Sequence, residues 1–144
     1  MNRLIPELDV SDLGRSLEFY CAVIGCEVLY ERSEERFAFL DLEGAQFMLE
    51  EAAGPGRRFR TASLEYPFGR GVNFQIQVGK VDALYQRCLE SQCTIVIDLE
   101  ERWYRKDSLE LGNRQFVVAD PDGFLLRFFE DLGSRTIIAN QRNG

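Results

Sequence analysis

Apolar residues recur along this chain in two alternating rhythms. Leu4 to Val10 reads as an extended run. Leu13, Leu17, Tyr20 and Ile24 then fall three or four apart, the spacing of one helical face. Ser11 or Asp12 can cap that helix, and Gly25 stops it. Three short strand-like runs follow, Cys26–Arg32, Arg36–Leu42 and Ala45–Glu50. Ser33-Glu34-Glu35 and Glu43-Gly44 mark the turns between them. From Glu51 to Arg70 no period holds. Gly54-Pro55-Gly56, Arg57, Arg58, Arg60 and Pro67 read there as a solvated linker, with ordering over a ligand groove as the alternative.

The second half repeats the order. In Val72–Val78 the apolar Phe74, Ile76 and Val78 alternate with Asn73, Gln75 and Gln77, the pattern of a strand with two different faces. Val81, Leu84, Tyr85, Cys88 and Leu89 make a second helical face, and Thr94–Ile97 a strand. Asp98 to Gly112 is expected to be a long loop or irregular hairpin. Asn113–Ala119 and Gly123–Glu130 are strands joined by Asp120-Pro121-Asp122-Gly123, with the proline and glycine placement of a type I turn. The chain therefore reads β-α-β-β-β twice, an α+β fold. The first module is residues 1–50, the linker 51–70, the second module 71–130, and 131–144 a poorly anchored tail.

The cysteines echo this duplication. Cys21 and Cys26 are five apart, as are Cys88 and Cys93, and each of the second pair lies 67 residues after its counterpart (21 to 88, 26 to 93). That period is too long for a solenoid and fits two copies of one supersecondary unit. The spacing is not that of a zinc knuckle.

At 144 residues the chain suits one domain of ordinary size. Apolar residues are 45% and charged residues 28%, the balance of a folded soluble protein. The net charge is −7, which argues against a nucleic-acid partner and is compatible with a cationic or neutral ligand. No apolar run approaches membrane length, so no membrane partner is expected. Met1 to Val10 is mixed in polarity and does not read as a signal peptide. A cytoplasmic protein with reduced thiols is the expectation. The histidine count is zero, which removes every mechanism that needs an imidazole.

Two stretches carry a family resemblance. One is Ile5-Pro6-Glu7-Leu8-Asp9-Val10-Ser11-Asp12-Leu13 with Arg15-Ser16-Leu17-Glu18-Phe19-Tyr20. The other is Gly112-Asn113-Arg114-Gln115-Phe116-Val117-Val118-Ala119-Asp120-Pro121-Asp122-Gly123-Phe124-Leu125-Leu126-Arg127-Phe128. The sequence resembles the vicinal oxygen chelate superfamily of glyoxalases, extradiol dioxygenases and bleomycin resistance proteins. The second stretch is similar to the G-x-R-x-F-x-x-x-D-P-x-G signature of the bleomycin resistance branch. The resemblance spans about residues 4–130 and implies tandem modules whose mixed sheet curves around a cavity.

In the metal-dependent members four strand positions supply the ligands, and they match Ile5, Met48, Asn73 and Arg127 here. Ile5 has no donor atom, Met48 a soft thioether, Asn73 a weak oxygen, and Arg127 a fixed positive charge. The resemblance therefore implies no metal and no cofactor. By strand alternation Met48, Glu50, Asn73 and Arg127 face the cavity. Phe37 and Phe39 line the same space or belong to the ordinary core, and Trp103-Tyr104 is expected either over the cavity as a stacking lid or packed on a dimer partner or the sheet edge. Arg127 and Glu50 are alternatively expected to pair with each other or with Asp9 and hold the sheet together. The bleomycin resistance branch implies a homodimer whose groove sequesters a cationic or aromatic, bleomycin-like small molecule without turnover. A metal-free lyase or isomerase using Glu50 is the alternative, and a non-catalytic subunit docking through its tail is the third.

Overall fold

The computed structural model describes residues 1–137. Two four-stranded sheets form, with the same topology in each. In sheet A, β1 (Glu7–Val10), β2 (Glu27–Arg32), β3 (Phe37–Leu42) and β4 (Ala45–Glu51) stand in the order β1-β4-β3-β2. In sheet B, β5 (Asn73–Gln77), β6 (Thr94–Lys106), β7 (Leu109–Ala119) and β8 (Leu125–Thr136) stand in the order β5-β8-β7-β6. β1 runs parallel to β4 and β5 parallel to β8; the other pairs are antiparallel. The duplication seen in the cysteines is thus a duplication of strand order. The modules keep separate ladders, so the curved mixed sheet resolves into two open sheets, joined by packing.

The first helix departs from a plain α-helix. Asp12 rather than Ser11 caps it, accepting from Arg15 N–H at 3.0 Å. After α1 (Leu13–Leu17) the chain widens into a π-helical segment, Glu18–Ile24, ending at Gly25 with φ 99°. The N–H groups of Gly25 and Cys26 both reach back to Tyr20 C=O, five and six residues away. This wider turn buries Phe19, Tyr20 and Ile24 together, with Ser16 buried one turn earlier. The second helix, α2 (Val81–Glu90), buries Val81, Leu84 and Cys88. Arg87 of α2 donates to the carbonyls of Val23 and Ile24 at 2.9 and 3.1 Å, covering the end of the π-helical segment.

Strand alternation then divides each sheet into two faces. Leu8, Val10, Ala38, Leu40 and Leu49 join the core from sheet A, and Ile76, Phe116, Val118, Leu126 and Phe128 from sheet B. Tyr20, fully buried, bridges the modules. Its hydroxyl donates to Asp120 Oδ2 at 2.6 Å. The other Asp120 oxygen accepts from the N–H groups of Asp122 and Phe124 at 2.9 and 2.8 Å. Ser11 N–H donates to Asp122 Oδ2 at 3.1 Å, and Arg15 to Pro121 C=O at 3.0 Å. The D-P-D-G turn is therefore a bracket that fixes the first helix to sheet B.

Two expectations change in the second module. For residues 98–112 the irregular hairpin holds and the loop does not: β6 and β7 continue as an antiparallel ribbon, its register shifting between Ile97 and Glu100, to a two-residue turn at Asp107-Ser108. Residues 131–136, expected in the tail, pair with β7 as the end of β8, Thr136 opposite Leu109. Residues 138–144, the rest of that tail, lie outside the described residues. The linker also differs. Arg58 is largely buried, its Nη1 2.5 Å from Glu50 Oε1, and it donates to the carbonyls of Glu51 and Ala52. Arg60 donates to Ala52 C=O at 2.6 Å and lies 3.4 Å from Asp9. These arginines strap the linker onto the end of sheet A.

Candidate functional site

Each sheet has a face turned away from the core, and the chemistry lies on these two faces. On sheet A, Phe39 opposes Met48 and Phe37 opposes Glu50 across β3 and β4. Tyr30 of β2 stacks on Phe39 with ring centres 4.9 Å apart and planes 15° from parallel. Phe37 lies beneath the Arg32 guanidinium at 3.9 Å. Both phenylalanines are 2% exposed, while Tyr30 is 42% exposed and presents the outer surface of the stack.

Beside this aromatic group stand carboxylates. Glu7 and Asp9 of β1 lie opposite Met48 and Glu50 of β4. Glu50, 5% exposed, is held by Arg58. Glu7 keeps an edge in solvent, yet burial, a hydrogen bond with Glu50 and the charges of Glu50 and Asp9 push its pKa up to about 7, against a pull downward from Arg58. Glu7, beside Glu50, is thus a carboxyl that holds its proton into the neutral range.

On sheet B a groove of about 560 Å³ opens over β5, β6, β7 and β8. Tyr104, Leu111 and Phe129 supply its apolar surface, and Gln75, Asn113 and Arg127 its polar surface. Arg127 Nη2 donates to Gln75 Oε1. Arg127 Nε is buried and has no partner among the described residues. Tyr104 Oη accepts from Gln115 Nε2 at 2.6 Å, and Glu100 accepts from the same nitrogen at 3.3 Å. Gln115 Oε1 is likewise buried without a partner among the described residues. A second cavity of about 300 Å³ lies at the seam between the sheets, where Phe47 and Gln46 meet Asn73 and Phe74.

The residues expected from sequence therefore separate into three places. Phe39, Met48 and Glu50 share the outer face of sheet A. Asn73 lines the seam cavity. Tyr104 and Arg127 line the sheet B groove. Trp103 is not over the groove. Adjacent strand residues point oppositely, so Trp103 turns to the other face of the ribbon, against Gly112, with the Arg135 guanidinium 3.9 Å above its ring. The expected Trp103-Tyr104 lid is thus split by the strand that replaces the loop. Glu50 and Arg127 pair neither with each other nor with Asp9: Arg58 holds Glu50 and Gln75 holds Arg127.

Glu7, Tyr30, Arg58 and Gln115 were not singled out from sequence as site residues. Alternation through Leu8 and Val10 places Glu7 on the outer face and was a usable signal. Arg58 sits in a segment without period and gave none.

The donor set at the four superfamily positions does not fit a metal ion. Ile5 is hydrocarbon, Met48 faces Phe39, and the Arg127 guanidinium occupies the fourth position with its positive charge. Among the described residues no three His, Cys, Asp or Glu side chains group to hold one. The four cysteines are free thiols. Burial raises Cys26 and Cys88 to about 12, so neither is a thiolate at neutral pH.

The motif residues themselves are structural. Arg114 makes a two-nitrogen ion pair with Asp82 of α2. Phe116 is in the core, and Asp120 forms the bracket to Tyr20.

The chain is similar to several known proteins. A bleomycin resistance protein of Geobacillus stearothermophilus is 29% identical over 143 residues, covering 93% of this chain and all of that protein. A superfamily member of known structure from Vibrio splendidus 12B01 is 39% identical, covering 90% of this chain and 98% of that one, with a TM-score of 0.42. TioX from Micromonospora sp. ML1 superposes with a TM-score of 0.68 at 23% identity, covering 92% of this chain and all of that one. The family model described as Glyoxalase/Bleomycin resistance protein/Dioxygenase superfamily matches residues 6–128, and the chain belongs to that superfamily.

Proposed function

We propose that this chain is a metal-independent small-molecule binding protein of the bleomycin resistance type. It sequesters a cationic or aromatic, antibiotic-like ligand in a groove completed by a second copy of the chain. Full-length similarity to a bleomycin resistance protein carries the reading. The aromatic stack and carboxylates of sheet A support it, because they offer a ring surface and negative charge to such a ligand. The donor set described above supports the metal-independent part. The dimer is supported by the outer strands: Val28, Leu29 and Tyr30 on β2, and Val96 and Ile97 on β6, are apolar and 39–50% exposed. Reduced thiols fit a cytoplasmic location. No helix among the described residues is long and apolar enough to cross a membrane.

Calorimetric titration with copper-bleomycin tests the reading. Saturable heat with ligand in the tens of micromolar range is expected, and no heat there rejects it. One observation favours a second reading, a metal-free lyase or isomerase. Glu7, beside Glu50, holds a proton near neutral pH, the property a general acid–base group needs. Turnover of a bound ligand that Glu7→Gln abolishes without weakening binding would favour it.

A further inference from the structure

The sheet B groove contains a charge that the proposed function leaves unused. Arg127 sits midway along β8, opposite Gln75 on one side and Val117 on the other. Its only hydrogen bond among the described residues goes from Nη2 to Gln75. A guanidinium has five N–H donors, and its edges match the two oxygens of a carboxylate. Arg127 thus retains unused donors at a groove wall, one of them the buried Nε–H. Buried donors in native proteins are nearly always satisfied, so an orphan beside a cavity calls for an acceptor from outside the chain.

The surroundings fit such an acceptor. The one carboxylate lining the groove among the described residues, Asp131, already accepts from Gly133 N–H at 2.7 Å and is committed to the turn in β8. Tyr104, Leu111 and Phe129 provide an apolar body for the ligand to lie against. Resting on the small-molecule binding reading, we propose that this groove is an oxyanion-recognition site, in which Arg127 receives a carboxylate carried on an aromatic or apolar body. The ligand class this names is distinct from the cation that the sheet A carboxylates attract.

Three probes of one ring system test this: 2-naphthoate, 2-naphthamide and 2-naphthylmethylammonium, titrated by calorimetry into the full chain. Naphthoate is expected to bind at least tenfold more tightly than either other probe. Arg127→Gln is expected to remove that preference, and Arg127→Lys to retain part of it, because the charge stays while the two-pronged geometry is lost. Arg127→Lys also serves if Arg127→Gln fails to fold, which circular dichroism reveals. Equal binding of the three probes, no binding of any, or an unchanged naphthoate preference in Arg127→Gln overturns the proposal. Copper-bleomycin titrated in parallel separates the two readings. Bleomycin binding without a carboxylate preference defeats only the oxyanion site. A carboxylate preference lost in Arg127→Gln, without bleomycin binding, defeats only the antibiotic reading.

Discussion

Replacing Tyr20 by phenylalanine removes one oxygen from the centre of the molecule and tests how the two modules are joined. The ring stays, and so does its edge packing on Phe19 and Phe47 at 4.9 and 5.2 Å between centres. Only the donor to Asp120 Oδ2 is lost. Asp120 is 4% exposed, so water does not readily replace it. Asp120 Oδ1 keeps its two backbone donors, which confines the damage to one oxygen. Losing a buried hydrogen bond to a charged group costs about 1.5–3 kcal/mol. At about 2 kcal/mol the melting temperature falls by about 6 °C in a chain of this length.

The effect depends on pH in a defined direction. Burial raises the Asp120 pKa, and the Tyr20 hydroxyl and two backbone N–H groups oppose that rise by stabilising the ionised form. The hydroxyl therefore contributes fully while Asp120 is ionised in the folded state. Its contribution fades as pH falls through the Asp120 titration. Guanidinium denaturation of wild type, Tyr20→Phe, Asp120→Asn and the double variant at pH 7.5 gives the coupling energy directly. A coupling energy below about 0.5 kcal/mol would refute the bracket as an energetic joint between modules. So would a Tyr20→Phe penalty that grows on acidification.

Glu7→Gln is expected to alter the pH profile of stability. Glu7 titrates at about 7 in the folded state against an ordinary 4.5, so the folded chain binds that proton more tightly and wild-type stability falls as pH rises between those values. The variant should gain on wild type from pH 5 to pH 8 in urea melts, and parallel profiles would contradict the carboxyl pair. The gain is expected to be smaller than for a fully buried carboxyl, because solvent screens Glu7. Gly112→Ala places a methyl 2.6 Å from the Trp103 ring and should cost about 1–3 kcal/mol with a shift in tryptophan emission; unchanged emission would disprove that packing. Phe128→Ala, fully buried beside Phe116 at 5.7 Å, should cost about 3–5 kcal/mol by denaturant melt, and a loss under 1 kcal/mol would remove it from the core.

The two-module order was legible because both modules use alternation against a buried face. In β3, β4, β5 and β8 each second residue enters the core, so the apolar rhythm marks the strand and its faces together. The ribbon of β6 and β7 was legible only as one of two alternatives, a loop or an irregular hairpin, for the same reason. From Glu100 to Lys106 no residue is buried, and both faces carry charges or polar tips. Backbone pairing from Glu100 opposite Gln115 to Lys106 opposite Leu109 holds that segment, and backbone pairing leaves no period in a sequence. The lid expected of Trp103 and Tyr104 failed with the loop that was to carry it, since a strand sends neighbours to opposite faces. Arg58 was illegible in another way. Its partners, Glu50 and the carbonyls of Glu51 and Ala52, are close in the chain, but linker residues of this composition ordinarily stay in solvent.

The residues that reveal the family are not the residues proposed to choose the ligand. Arg114 ties β7 to α2 through Asp82, Phe116 fills the core, Asp120 holds Tyr20, and Gly123 adopts φ 87° at the end of the turn. Each has a packing or backbone task that any ligand would leave unchanged, so the motif specifies the bracket and the sheet order. The groove is lined instead by residues between the motif positions or beyond them: Tyr104, Asn113 and Arg127. Substitutions there alter charge and shape on an outer face without disturbing the core. A scaffold arranged in this way can change ligand while keeping its signature. On the proposed reading, ligand identity is therefore sought at Arg127 and the carboxylates of sheet A, outside the residues that carry the motif.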